Sequence, residues 1–283
     1  MPAGGEAFVQ TVHHKEDTAL PFFRRYFSPI QVGCALTTLD LGLTRDDTGP
    51  NISAKNPSYC ELTALYWAWK NVDAPYYGLM HYRRIFSARS RSFAHRWHMA
   101  RQRVWEARER VQLHTRGYLW PAVRTVTTVP ELEAECAALS RFLEEHLPTV
   151  DAILPAPVQC RHLTMEQQYA SWCCRNDYLI MLDCIGELFP DMTGAAKQAS
   201  ADHRFRICNM GIMRKPVFED YCGRLFGVLE EVERRIDLRW RNSYQQRVFG
   251  FLSERFFNIY LRHVSQANAI RTLDLPTVFV ELR

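Results

Sequence analysis

Residues 76–84 read YYGLMHYRR: Tyr76 to Met80 are apolar or small, and His81, Tyr82, Arg83 and Arg84 follow without a break. A short continuous apolar run closed by polar residues is the pattern of a strand buried on both faces. That reading puts the charged tetrad at a strand end. Working upstream, Ser58 with Glu61 three residues later has the form of a capping box, opening a helix to about Asn71. Thr44–Pro57 before it is a polar loop rich in turn formers, and short strands are expected at Phe8–Val12 and Ile30–Cys34. Downstream, helices at Val129–Leu147, Asp177–Phe189, Pro216–Ile236 and Tyr244–His263 alternate with strands at Asp151–Leu154, Cys208–Met213 and Pro276–Val280. Such alternation predicts an α/β sheet with both faces covered. In these sheets ligands gather outside the carboxyl ends of the strands.

The 283 residues, 47% hydrophobic and 23% charged, suit one large globular domain or two small ones, and a single domain over 1–283 is expected. No run reaches the ~18 apolar residues of a membrane span, and the N-terminus has no secretory pattern. Nine irregularly placed cysteines without a C-x-x-C pair read as reduced side chains of a cytoplasmic protein. Charge is concentrated in an Arg-rich insertion, 88–124, with nine arginines against two glutamates. Within it Phe93, Trp97, Ala100, Val104, Ala107 and Val111 recur at helical spacing. A basic amphipathic helix over 93–111 suits an anionic membrane surface, which predicts peripheral attachment at the inner membrane. The alternative is a solvated helix lying on its own domain. Nucleic acid is not expected, because the rest of the chain is net acidic and shows no recognised binding motif.

The familiar phosphate cradles and the G-x-S-x-G elbow are missing. No aspartates are spaced as D-x-D; the nearest approach is Asp46-Asp47 in a loop. The adjacent Arg83 and Arg84 could instead clamp a diphosphate through bidentate, charge-assisted hydrogen bonds and neutralise it as it leaves. The alternative is one surface ion pair and one solvated side chain.

Residues 51–56 (NISAKN), 59–71 (YCELTALYWAWKN) and 78–84 (GLMHYRR) form one ordered pattern. It is joined by 29–33 (PIQVG), 209–213 (NMGIM) and 247–255 (RVFGFLSER). Together they resemble a family of bacterial surface-polysaccharide glycosyltransferases, long catalogued as a domain of unknown function, with galactofuranosyltransferase members in capsule or O-antigen assembly. The resemblance implies a GT-A-like mixed sheet flanked by helices, with the Arg-rich helical insertion as its least typical part. It also implies a UDP-sugar donor, galactofuranose as the best guess, and a hydroxyl of a lipid-linked glycan as acceptor. His81–Arg84 would stand where other GT-A enzymes keep D-x-D; no metal ligand is assigned, and a divalent cation is not favoured. Two stretches depart from the family: WCCRND at 172–177, where members often have histidines ahead of an acid, and Gly211, where phenylalanine is usual. The competing reading is a non-catalytic nucleotide-sugar or glycan-binding subunit of an assembly complex.

An inverting transfer needs a carboxylate to take the acceptor proton and a cationic grip on the diphosphate. The first candidate base is Asp177, with a helix N-cap as its alternative. Glu166 is second, against a surface helix residue, and Asp202 third. Arg83 and Arg84 are assigned the grip. For the donor, Asn51, Ser53, Lys55 and Asn56 offer a polar loop that would otherwise be ordinary turn chemistry. His13, His14 and Lys15 follow the first strand, where the base and ribose would lie, or form a solvated loop. His81 and Tyr82 belong with the strand end, and Asn209 could bind sugar hydroxyls. Glu61 is read as structural, and Arg247, Glu254 and Arg255 as an ion-pair group holding the last helices.

Overall fold

A computed structural model describes residues 7–89, 124–160, 162–267 and 270–282. The expected basic helix over 93–111 lies outside the described residues. The main sheet has the strand order β11-β7-β10-β4-β1-β2-β3. Its members are β1 (Phe8–His13), β2 (Ser28–Gln31), β3 (Thr44–Arg45), β4 (Tyr76–His81), β7 (Ala152–Pro155), β10 (Gly211–Arg214) and β11 (Thr272–Leu275). Short strands β5 (Arg84–Phe86), β6 (Thr125–Val126) and β12 (Thr277–Val280) extend it beside β4. A separate ribbon joins β8 (Val158–Gln159) to β9 (Arg204–Phe205).

The first four strands are mutually parallel, and β10 runs against both β4 and β7. The carboxyl ends of β1, β2, β4 and β7 therefore share one sheet edge with the leading end of β10. The pleat sorts the core: Tyr77 and Leu79 of β4 face one apolar cluster, Tyr76 and Met80 the other. The first cluster is built on α3 (Leu62–Asn71), α6 (Arg175–Leu188), α8 (Lys215–Arg235) and α9 (Val248–Gln266). The second is built on α1 (Leu20–Tyr26) and α4 (Val129–His146). Two further helices, α5 (Met165–Ala170) and α7 (Thr193–Ala201), complete the first layer. The chain is thus a mixed α/β sheet flanked by helices, as the alternation predicts.

Three local expectations are corrected. The helix expected from Ser58 is split into α2 (Asn56–Tyr59) and α3, because Cys60 has φ +53°. Ser58 donates to the Lys55 carbonyl and caps nothing, so the capping box with Glu61 does not form. The helix expected from Asp177 begins earlier, at Arg175; Cys174 is its N-cap and Asp177 lies in its first turn. There a carboxylate favours the positive end of the helix dipole.

Candidate functional site

The strand ends at the shared edge bring together His13, His81, Tyr82, Arg84 and Asn209, and loops and α9 add residues to them. Cys60 and Cys208, the two non-glycine residues with positive φ among the described ones, stand immediately before Glu61 and Asn209. Left-handed backbone at such residues costs of order 1–3 kcal/mol and is held only by strong surroundings. Here the turns aim Glu61 and Asn209 at each other: Asn209 Nδ2 donates to Glu61 Oε1 at 2.6 Å and to the Gly250 carbonyl at 3.0 Å. Ser253 Oγ donates to Asn209 Oδ1 at 2.8 Å. Gly250 lets α9 approach, since a Cβ there would lie 3.1 Å from Cys60 Sγ.

Around this knot the charges alternate. His81 Nε2 lies 4.0 Å from Glu61 Oε1. Burial, seconded by the Arg84 and Arg247 charges, pushes His81 below the ordinary imidazole value despite the pull of Glu61. Arg84 donates to Cys208 Sγ and its guanidinium lies 4.6 Å from the Phe279 ring centre. Arg247 is exposed, and its Nε donates to Cys60 Sγ at 3.3 Å. Glu254 pairs with Arg255 at 2.6 Å, and Arg255 reaches on to Gln168 Oε1. Burial pushes the Glu254 carboxyl above its ordinary value, Glu61 adds to the rise, and Arg255 and Arg84 oppose it. A partly enclosed carboxyl with a raised pKa beside several guanidinium groups is suited to accept a proton while the cations hold an anion. Beneath the knot, a cavity of about 20 Å³ borders Asn209, Gly211 and Phe257, the volume of about one water.

The sequence candidates divide. Arg83 and Arg84 diverge: Arg84 turns inward to Cys208, while Arg83 is exposed on the turn between β4 and β5. His13 is fully buried, with Nε2 3.0 Å from Thr11 Oγ1 and Nδ1 3.5 Å from Asp17. Exposed His14 and Lys15 flank the Tyr82 ring at 5.2 and 5.8 Å. The 51–56 stretch mainly builds a loop. Buried Asp46 accepts from Gly33 N, Cys34 N and Ser53 Oγ at 2.9, 3.0 and 2.5 Å. Asn51 bonds within its own turn, Lys55 pairs with Glu233 at 2.6 Å, and Asn56 donates to the Cys60 carbonyl. Gly33 has φ +70°, and a Cβ there would lie 2.9 Å from Asn56 Oδ1. Asp47 pairs with Arg45, so the Asp46-Asp47 doublet supports the loop.

Asp177, 2% exposed, is gripped through both oxygens by Arg241. Glu166 pairs with Arg175, and Asp202 with Arg262. Among the described residues no three His, Cys, Asp or Glu side chains gather to hold a metal ion, and no helix is long and apolar enough to cross a membrane. Glu61, Glu254 and Arg247 join the site although their residue patterns suggest scaffolding; the YCELTALYWAWKN match contains the first, and the RVFGFLSER match the other two.

The chain is similar to a solved structure, the WbbM bifunctional glycosyltransferase in its apo form, with a TM-score of 0.77 and 29% identity. The match covers 97% of this chain and 45% of that one, so the chain spans under half the length of that protein. No curated protein matches it. A family model matches residues 9–266, nearly the whole of the sheet and its helices, and the chain belongs to that family, the domain of unknown function DUF4422.

Proposed function

We propose that the protein is a glycosyltransferase of GT-A type that moves a hexosyl group, galactofuranose as the best guess, from a UDP-sugar to a hydroxyl of a bacterial surface glycan carried on lipid. The observation that carries this reading is the convergence of two guanidinium groups, Arg84 and Arg247, on His81 at the carboxyl edge of the sheet, with Glu254 within the electrostatic reach of Arg84. The likeness to a bifunctional glycosyltransferase supports it. In this mechanism Glu254 takes the proton of the acceptor hydroxyl as its oxygen forms the new bond to the anomeric carbon. The bond from that carbon to the diphosphate oxygen breaks with its electron pair, and the departing UDP is neutralised by guanidinium groups.

Arg84 and Arg247 supply the grip, with Arg83 and Lys15 as outer cations. His81, Tyr82 and His14 line the donor approach, while Asn209 positions Glu61 and, through Ser253, the start of α9. Asn51, Ser53, Lys55 and Asn56 act mainly by shaping the loop after β2, and His13 by fixing the end of β1. Asp177, Glu166 and Asp202 each have an arginine partner, as Glu254 has in Arg255; Glu254 is favoured as the base because burial raises its carboxyl and Arg84 lies within its electrostatic reach. Segment 93–111 is assigned to the anionic membrane surface, and the protein to the cytoplasmic side of the inner membrane.

The test incubates the protein with a panel of UDP-sugars and a lipid-linked acceptor mimic, with and without EDTA. Transfer from one donor, retained in EDTA, is the expected result. UDP binding without turnover of any donor would instead identify a non-catalytic binding subunit, and activity lost in EDTA and restored by manganese would overturn the cationic grip.

A further inference from the structure

Among the described residues, the aromatic side chains classed as exposed are Trp172, Trp240 and Tyr244, at 47%, 89% and 45%. All three belong to two segments joined by the Asp177–Arg241 ion pair, 171–177 and 236–247. Between these segments lies a cavity of about 190 Å³, lined in part by Tyr169, Cys173, Asp177, Arg241 and Gln245. Tyr169 is one of the lining residues; its side chain is fully buried, and among the described residues its hydroxyl has no hydrogen-bond partner. An orphaned buried hydroxyl is rare enough to require a reason. A ligand hydroxyl supplies one, since it both donates and accepts.

Arg255 links the cavity lining to the proposed catalytic carboxylate. The Arg255 guanidinium lies 5.5 Å from the Tyr169 ring centre and pairs with Glu254 at 2.6 Å. Tyr244 stacks obliquely on Phe251 at 5.0 Å, and its phenol lies within the electrostatic reach of Cys173, Arg247 and Glu254. Exposed aromatic faces on the two flanking segments, an ion pair and an amide in the cavity lining, and the unpartnered hydroxyl of a lining tyrosine together make a mixed environment. It suits a ligand with apolar C–H faces and many hydroxyl groups, which is to say a sugar. The volume falls below the ~300 Å³ at which pockets enclose drug-sized ligands, so one terminal ring fits while the rest of a chain stays outside.

We infer that this cavity and its aromatic rim bind the terminal residue of the acceptor glycan and direct its hydroxyl toward Glu254. The inference rests on the transferase reading above, and it makes Tyr169, Trp172 and Tyr244 positioning residues for the acceptor. Tyr169→Phe keeps the ring and removes only the unpartnered hydroxyl, so the fold is retained and melting is unchanged or raised.

The experiment measures binding of native, Tyr169→Phe, Trp172→Ala and Tyr244→Ala proteins to a printed array of mono- to tetrasaccharides of galactose, glucose, mannose and rhamnose. UDP binding is measured on the same proteins by calorimetry, and association with phosphatidylglycerol vesicles by sedimentation. The expected result is native binding to at least one saccharide, weakened about tenfold by either alanine variant and several-fold by Tyr169→Phe, with UDP binding by Tyr169→Phe unchanged. Native protein that binds UDP but no saccharide overturns the inference. So does Tyr169→Phe binding as tightly as native, or variants that lose the vesicles while keeping the saccharide. Saccharide binding without UDP binding would support the site while overturning the transferase reading.

Discussion

The two buried-side carboxylates near the site, Glu254 and Asp177, should respond to neutralisation in opposite ways. Asp177→Asn keeps the shape but leaves the Arg241 cation, 17% exposed, facing an amide in place of a carboxylate that gripped it twice. Breaking a buried pair costs about 3–5 kcal/mol, and the partial exposure of Arg241 lowers that to about 2–3 kcal/mol. For a domain of this size the melting temperature should fall by about 3–5 °C. The chemical step should survive at temperatures where the variant stays folded.

Glu254→Gln should do the reverse. Gln preserves an acceptor for Arg255, and the carboxyl it replaces is one that burial disfavours in its charged form. A carboxyl whose folded pKa is raised contributes stability at low pH that is lost as pH rises through that pKa, so neutralising it offsets part of the lost pairing at neutral pH. Melting should move little, while turnover falls by about 10²–10⁴, the usual contribution of a general base. The native rate should also decline on acidification at a pH above the ordinary glutamate value of about 4.3, because the protonated carboxyl accepts nothing. Differential scanning fluorimetry with single-turnover UDP release from the active donor reads both effects. Asp177→Asn that melts like native yet loses turnover, beside an active Glu254→Gln, would refute the assignment.

Arg84→Ala should lower turnover by about 10²-fold or more, while Arg83→Ala, on the exposed turn, should change it only a few-fold; equal losses in steady-state assays would restore a paired clamp. Asn209→Ala removes the partner of Glu61, Gly250 and Ser253 at one stroke. It should cost about 1–3 kcal/mol in urea unfolding, with activity falling further than stability explains; native-like activity would show that Glu61 needs no fixing. Deleting 93–111 should release the protein from anionic liposomes in flotation while leaving UDP binding intact, and persistent flotation would contradict the membrane role.

Much of the architecture is written in hydrophobic period. The strands at Phe8, Tyr76 and Asp151 and the long helices at Val129, Pro216 and Tyr244 are found within a few residues, because apolar spacing dictates which face is buried. Short pieces escape that signal: α1, α7 and β11 are held by tertiary pairing more than by their own pattern. The site is less legible for a different reason. Ser58 and Glu61 satisfy the local grammar of a helix start, but the left-handed turn at Cys60 sends Glu61 across to Asn209, almost 150 residues away in the chain. Nothing in a cysteine announces positive φ. Asp177 and Glu254 are likewise indistinguishable as letters, and both carry an arginine partner; what separates them is that Arg241 holds both oxygens of Asp177, whereas Glu254 keeps a raised carboxyl beside Arg84.

The reversed direction of β10 also bears on which insertions the protein can absorb. Leu79 opposes Gly211 in the ladder, so Asn209 reaches Glu61 from the leading end of a strand whose advance is measured in steps of about 3.3 Å. One residue added between Arg206 and Gly211 would either displace that amide by a full step or turn the faces of β10 inside out. The spacing between amide and carboxylate is thus governed by the backbone ladder, and length variation among relatives should be sparse there even where outlying connections grow freely.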